Sequence, residues 1–440
     1  MAVPVLRARI FAVVICVVAG GLAPLATAVA RPLTDGAITH VYIAARNDGR
    51  KGHGTRHDPF DGSTQPKLEA IFQRYHDSET NSVHFHLAAG RYHLIGAVAH
   101  GLDHGRGGWA MRPGWVVQGA GKHRTTIFQD YPAKGDLGYG LFTAWVYGSG
   151  NQGVADLTID CGFKRYGKAH PRAQFRAVST SGDGSFVRNV RIRNAGGAFD
   201  PTNTGECFVV YITSDERNNG GAGDTASNTR VENTDIYLAN SATVITIINH
   251  KAIETNANPV YGHHSRIVGN YIYCTPTANG AITEAAPAGI KDAVGAWNTL
   301  VNTSFYADTY PTIQAKIAHN RIRNGYMLFS DIMSDTTVSD NVVVASKDRG
   351  IQFSGSPNGI SSNCIFERNR VIKGPGARSG LCLNNLSGSP AKITGLIFRD
   401  NVIDEGLVNG VLFNHGGTGV EWINNRTPTG ELAKMTGAAN

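Results

Sequence analysis

The sequence predicts an all-β solenoid, a parallel β-helix, on three observations. First, between about residues 315 and 427 one phrase recurs, apolar-x-x-Asn-x-apolar: Ile317–Asn320–Ile322, Val338–Asn341–Val343, Phe366–Asn369–Val371 and Phe398–Asn401–Ile403. Ile267–Asn270–Ile272 precedes these, and Trp422–Asn425–Thr427 closes the run. Second, a Gly-apolar-x-apolar-polar phrase falls between them at Gly350, Gly380 and Gly410, an even 30-residue step. Third, the apolar pairs of the second phrase stand two apart in segments of a few residues, which is the period of a strand. Short units repeating at this length bury their apolar faces by stacking on one another.

Each part of the prediction has its own warrant. The first apolar residue and the Asn of the first phrase are three apart, so an unbroken strand would point them to opposite faces. A corner between them lets both turn inward. Asn suits a corner because it tolerates the left-handed conformation, and its amide can bond the backbone or the next coil's amide in a ladder. Earlier coils keep the spacing with other corner residues: Val231–Thr234–Ile236, Val187–Val190–Ile192 and Val154–Leu157–Ile159.

In chain order, Arg7 and Arg9 precede an apolar run from Ile10 to Ala19, and Ala28-Val29-Ala30 offers a small-residue cleavage site. This predicts a secretory signal peptide over residues 1–30 and a secreted or periplasmic product. The run is short for a membrane span. Residues 31–440 are then expected to form one domain: an N-terminal cap over about 38–90, coils over about 110–427 and a tail over 428–440. His40–Ala44 reads as the first strand and Val83–Leu87 as the next. Between them, Ser63 or Thr64 can start a short helix with Leu68, Ile71, Phe72 and Tyr75 on one apolar face. Such a helix would cover the open end of the solenoid. Steps between successive corners are uneven, and the long ones predict loops around 195–228 and 273–315, over the middle coils. Extra residues on a rigid scaffold build binding grooves.

The formal charge of +7 favours acidic partners, but there is no Lys/Arg run to argue for nucleic acid. The five cysteines beyond the leader show no C-x-x-C spacing and read as small core residues.

Gly90-Arg91-Tyr92, then Gly119-Ala120-Gly121 with Thr125-Thr126-Ile127, together with the Asn repeats, resemble the opening and the coils of extracellular proteins of the pectate-lyase-like superfamily. The resemblance spans roughly residues 40–427 and implies a right-handed single-stranded β-helix. That superfamily includes lyases, hydrolases, esterases, epimerases and proteins without known chemistry. Gly205-Glu206-Cys207-Phe208 resembles half of the paired-acid motif of polygalacturonase-like hydrolases, without the second acid. An inverting pair needs carboxyls ~6.5–9.5 Å apart, so a partner would come from Asp183, Asp200 or Asp215. Asp200-Pro201-Thr202 resembles the Asp-Pro-His of alginate-type epimerases with Thr in place of His, and Asn233-Thr234-Asp235 resembles a polygalacturonase triplet.

Candidate site residues lie beside the short strands. Arg176, Glu206, Lys291, Asp292, Arg349 and Arg378 fall at or near one expected outward column, with neighbours roughly 5 Å apart. The same column would serve equally as a solvated ladder of ion pairs. His250 follows a strand end on the middle coils and is a ready proton carrier near neutral pH; His263-His264 sits in a turn. The expected catalytic set is Glu206, Lys291, His250, Arg176 and Asp292. Tyr271, Tyr273, Trp297, Tyr306 and Tyr310 are either sugar-stacking platforms or pegs that anchor loops. No cofactor is evident, and Ca²⁺ held by scattered carboxylates stays open.

These residues lead to a secreted, carbohydrate-active protein with a polysaccharide partner, and first to a lyase on a uronate polymer. In that reaction a base (His250 or Lys291) removes the proton α to the carboxyl while cations (Lys291, Arg176 or Arg349) neutralise the enolate. The alternatives are a glycoside hydrolase using Glu206, or a non-catalytic carbohydrate-binding surface protein.

Overall fold

The computed structural model of the chain describes residues 38–95, 109–130, 142–143, 150–197, 207–214, 225–252, 260–275, 281–283, 287–307, 310–330, 332–346, 349–354, 359–383, 392–411 and 418–434. Over these the chain winds as a right-handed parallel β-helix with three sheets. The first sheet gathers 18 short segments, and the second and third have 11 strands each. Every ladder between strands is parallel, so neighbours in space are a whole coil apart in sequence, as in Ile272↔Leu300↔Ile322↔Val343 of the second sheet. Eleven strands at ~4.8 Å give a rod about 50 Å long.

The core is a set of aligned stacks. Ile159, Ile192, Ile236 and Ile272 lie over one another in the second sheet, all fully buried. In the last coils aromatic rings take over. Phe366 lies 5.5 Å from Phe329 and 5.1 Å from Phe398, which lies 5.7 Å from Trp422.

The Asn positions form the expected ladder, buried between the first and second sheets. Asn270, Asn298, Asn320, Asn341, Asn369 and Asn401 each give a side-chain Nδ2–H to the Oδ1 of the next rung at 2.8–3.0 Å, the last acceptor being Asn425. Each Nδ2 from Asn270 to Asn401 also donates to a backbone carbonyl, as Asn341 does to Ile317 at 3.1 Å, and each following Oδ1 also accepts a backbone N–H. Leu157, Val190 and Thr234 fill the same corner in the earlier coils, fully buried.

Two expectations are corrected here. The left-handed residue at this corner is the one before the Asn: Trp297, His319, Asp340, Arg368, Asp400 and Asn424 all have φ between +50° and +60°, whereas the ladder asparagines do not have positive φ. The ladder position is the expected inward corner, but its Asn is there for its amide. Secondly, residues 273–315 are not one long insertion. A complete coil lies there, with Gly295 stacked on Ile267 and Ile317 and Asn298 in the ladder. Gly295 stands where the phrase calls for an apolar residue, which is why the repeat is invisible there. Tyr271 and Tyr273 are therefore strand residues, as is Tyr306, and Trp297 is a corner residue.

The N-terminal end is closed by the helix Gln65–Asp77. Leu68, Ile71 and Phe72 face inward, Phe72 stacks on Phe85 at 4.5 Å, and Tyr75 meets Phe85 edge-on. Thr64 occupies the N-cap position without a side-chain cap bond. Asp61 organises the start instead, accepting from the Ser63 N–H at 2.9 Å and the Lys67 Nζ at 2.6 Å. Burial alone would raise the Asp61 carboxyl, but the Lys67 ammonium and Ser63 outweigh it and hold it at about 2. At the other end Trp422 donates to the Ala433 carbonyl, so the chain folds back under the last ring. Among the described residues, Cys161, Cys207, Cys274, Cys364 and Cys382 are all buried. Burial pushes the Cys207 thiol to about 11 and those of Cys364 and Cys382 to about 12, which keeps them unreactive.

Candidate functional site

The third sheet ends in an outward-facing polar cluster built on four successive coils. Within Phe208–Thr213, Val209, Val210 and Ile212 lie in the core while Tyr211 turns away into a separate small group with Ile248 and Ala288. Tyr211 lies in register with Ser179 on one side and Thr246 on the other. All three are buried, so this stretch of the third sheet is covered on its outer face as well.

His250 follows the next strand, Thr243–Ile248, as the first residue of a single 3-10 turn. Its backbone N–H donates to Ser214 Oγ at 2.9 Å, which fixes where the ring starts. The ring lies between two phenols: Nε2 is 2.7 Å from Tyr211 Oη, and Nδ1 is 2.7 Å from Tyr310 Oη. A neutral imidazole has one N–H and one lone pair, so it donates to one phenol and accepts from the other. Swapping tautomers moves a proton across the set. This is the geometry of a proton relay: a proton can pass from one phenol to the other through the ring.

Arg176 stands beside it. Its guanidinium lies 5.8 Å from the Phe208 ring, which stacks on Tyr211 at 4.8 Å, and it is held by the Gln174 carboxamide. At 7% exposure it is a buried cation, and a charge in such a place acts with little screening.

The remaining expected residues separate from this cluster. Lys291 lies on the first sheet, in register with His263 and Ile313, with Nζ 4.9 Å from the Tyr261 ring. Ala288, which packs with Tyr211 and Tyr310, is only three residues earlier, so Lys291 is around the corner from the relay. Asp292 has φ +55° and belongs to a second left-handed column with His264, Gln314, Asp335 and Asn363. Its carboxylate is 3.9 Å from His263 Nδ1 and 3.8 Å from His264 Nδ1. A groove of about 470 Å³ runs past it, lined by Asn228, Arg230, His264, Arg266, Asp292 and Val294. The expected single column of Arg176, Glu206, Lys291, Asp292, Arg349 and Arg378 is thus corrected: Arg176 lies just before the third-sheet strand Val178–Ser181, whereas Lys291 and Asp292 lie along the first sheet. Arg349 lies over the Tyr326 ring at 5.2 Å, farther along the rod.

Glu206, Asp200 and Asp215 lie outside the described residues. Asp183 is used structurally: Oδ1 accepts from the N–H groups of Thr225 and Ser227, clamping the turn into the first sheet. Asp235 pairs with Lys122 at 2.8 Å. Among the described residues, no group of three metal-ligand side chains occurs at the relay or the groove. Of the residues in this cluster, the sequence reading names His250 and Arg176 as candidates, takes Tyr310 only as a platform or peg, and does not single out Tyr211. The one available signal is Tyr211's place within the aliphatic stretch Val209-Val210-Tyr211-Ile212.

No family model matches the sequence, and no curated protein matches it. Solved structures do. The A-module of the mannuronan C-5 epimerase AlgE4 from Azotobacter vinelandii is 14% identical over 90% of this chain and 98% of its own, with a TM-score of 0.51. The surface adhesin PfbA of Streptococcus pneumoniae is 12% identical over 88% and 90%, with a TM-score of 0.44. A polygalacturonase from Erwinia carotovora is 11% identical over 92% and 98%, with a TM-score of 0.41. At 14% identity and a TM-score of 0.51, what this chain shares with the AlgE4 module is the fold, a right-handed parallel β-helix.

Proposed function

We propose that this protein is an exported enzyme acting on an acidic polysaccharide, and that its reaction begins with removal of the proton α to a uronate carboxyl. The observation that carries this reading is His250 held between the Tyr211 and Tyr310 hydroxyls beside the buried Arg176. A phenol alone rarely acts as a base near neutral pH because it loses its own proton only near 10. Coupled through hydrogen bonds to an imidazole, it can pass its own proton on while taking one from carbon. Arg176 supplies positive charge for the enolate that forms, and Lys291 around the corner suits the carboxylates of neighbouring sugar units. In a lyase the cycle closes by elimination. The C5–H electrons form the C4–C5 double bond, the C4–O bond breaks, and the departing oxygen takes a proton from the second phenol. The leader-like residues 1–30 and the basic balance support export and an acidic ligand.

The test is a screen of alginate, polygalacturonate and glucuronate-containing polymers, followed by ultraviolet absorbance of the unsaturated ends. Wild-type turnover is expected on one class of polymer, with His250→Gln and Tyr310→Phe each at least about a hundredfold slower. Uptake of solvent deuterium at C5 without new absorbance would move the reading to epimerisation, which starts from the same proton transfer. Reducing ends without absorbance, abolished in Glu206→Gln, would replace it with hydrolysis. Binding with no turnover at all would leave a carbohydrate-binding rod.

A further inference from the structure

The N-terminal coil carries a second group of functional side chains, far from the relay. In Thr39–Ala44 the inward residues are Val41 and Ile43, and in Val83–Leu87 they are Val83, Phe85 and Leu87, all buried. The alternate positions therefore face outward: His40 and Tyr42 on one strand, His84 and His86 on the other. The parallel register sets His40 beside His84 and Tyr42 beside His86.

This places three imidazoles on one patch. A ligand nitrogen of each lies within 4.8 Å of the others, and His40 Nδ1 is 2.9 Å from His86 Nε2. Tyr42 stacks on the His86 ring at 4.7 Å and fixes its plane. His84 and His86 are half-buried, while His40 is exposed. We propose that His40, His84 and His86 form a binding site for a divalent transition-metal cation, with Zn²⁺ as the type and water in the fourth position.

The geometry is close to what such an ion requires. Nitrogens ~2.0–2.1 Å from a tetrahedral Zn²⁺ stand roughly 3.3 Å apart. The His40–His86 hydrogen bond has only to open by a few tenths of an ångström for the ion to replace its proton. The backbone already holds the three rings on paired strands, so little ordering accompanies binding. His40 and His84 are 44 residues apart, so the ion would clip the outermost coil to the next strand and stabilise the end most open to fraying. This site stands apart from the catalytic reading and does not depend on it.

The alternative is an imidazole stack held only by its own hydrogen bond, and titration separates the two. The purified chain, stripped with chelator, is titrated with ZnCl₂ by calorimetry, with Co²⁺ absorbance as a report on tetrahedral nitrogen ligation. One equivalent should bind to the wild type, and the melting temperature should rise with Zn²⁺. His84→Ala and His86→Ala should each weaken binding by more than about tenfold, and the double variant should lose both binding and the thermal shift. Both side chains face outward, so the core under them is retained, and circular dichroism checks that the variants fold. His263→Ala/His264→Ala, which removes the pair beside Asp292, should bind as the wild type does. Absence of micromolar binding, or binding that survives the His84/His86 double variant, overturns the proposal.

Discussion

The coils after Asn270 and the coils before Thr234 wind identically but are pinned at the same corner by different chemistry. The later coils use a continuous amide ladder, in which every Asn from Asn298 to Asn401 fills its acceptor twice and its donor twice. The earlier coils pack Leu157 and Val190 into that place, and Thr234 joins the two by giving its backbone N–H to Asn270. An amide ladder specifies register as well as stability, because a slipped coil leaves buried amides unpaired. Apolar corners tolerate more variation above and below. The relay at Tyr211, His250 and Tyr310 straddles this junction, with Tyr211 on a coil whose corner lacks Asn and Tyr310 on the ladder side.

The comparison can be broken most directly in the ladder half. Phe366→Ala removes the ring between Phe329 and Phe398 and should cost about 4 kcal/mol in urea unfolding. A loss under about 1 kcal/mol would mean these coils repack as freely as the earlier ones. Asn341→Leu should cost about 3 kcal/mol, because the Asn320 N–H and side chain lose their acceptor and the Ile317 carbonyl loses its donor. Leu at the equivalent position 157 is native, so a neutral outcome would show that the two kinds of corner are interchangeable.

Trp297 sharpens the contrast from the other side. It is 61% exposed, has φ +60° and stacks on His319 at 4.0 Å. Asp340, Asp400 and Asn424 hold the same position in later coils, and Asn bears this conformation more easily than a bulky ring does. Trp297→Asn should therefore gain about 1 kcal/mol if the ring is kept for contact with a ligand. A loss of stability would instead make Trp297 a peg for the corner.

The smallest effect concerns the N-terminal cap. Asp61 is depressed to about 2 in the folded chain, against about 3.9 when unfolded. Its contribution is therefore complete above about pH 4 and disappears as the pH falls toward 2. The stability advantage of the wild type over Lys67→Met should shrink across that window, as read from thermal melts at pH 6, 4 and 2.5. An advantage independent of pH would show that Lys67 acts there by packing rather than by charge.

By itself the sequence determined the winding. The three-residue offset between an apolar position and Asn forces a corner, and its repetition makes the coils stack, so the solenoid, the end helix and the buried ladder were all legible from local pattern. Gly295 hid one coil because a missing side chain leaves no apolar mark, although Asn298 beside it still joins the ladder. What only the tertiary structure decided is which polar residues meet. Tyr211 and His250 are 39 residues apart and His250 and Tyr310 are 60 apart. Their contact follows from coil lengths that differ from turn to turn, so no local spacing records it. The same holds for His40 and His84, brought together by strand register alone. Winding is written in short-range periodicity, whereas the chemistry depends on the sum of many loop lengths, which only the folded chain adds up.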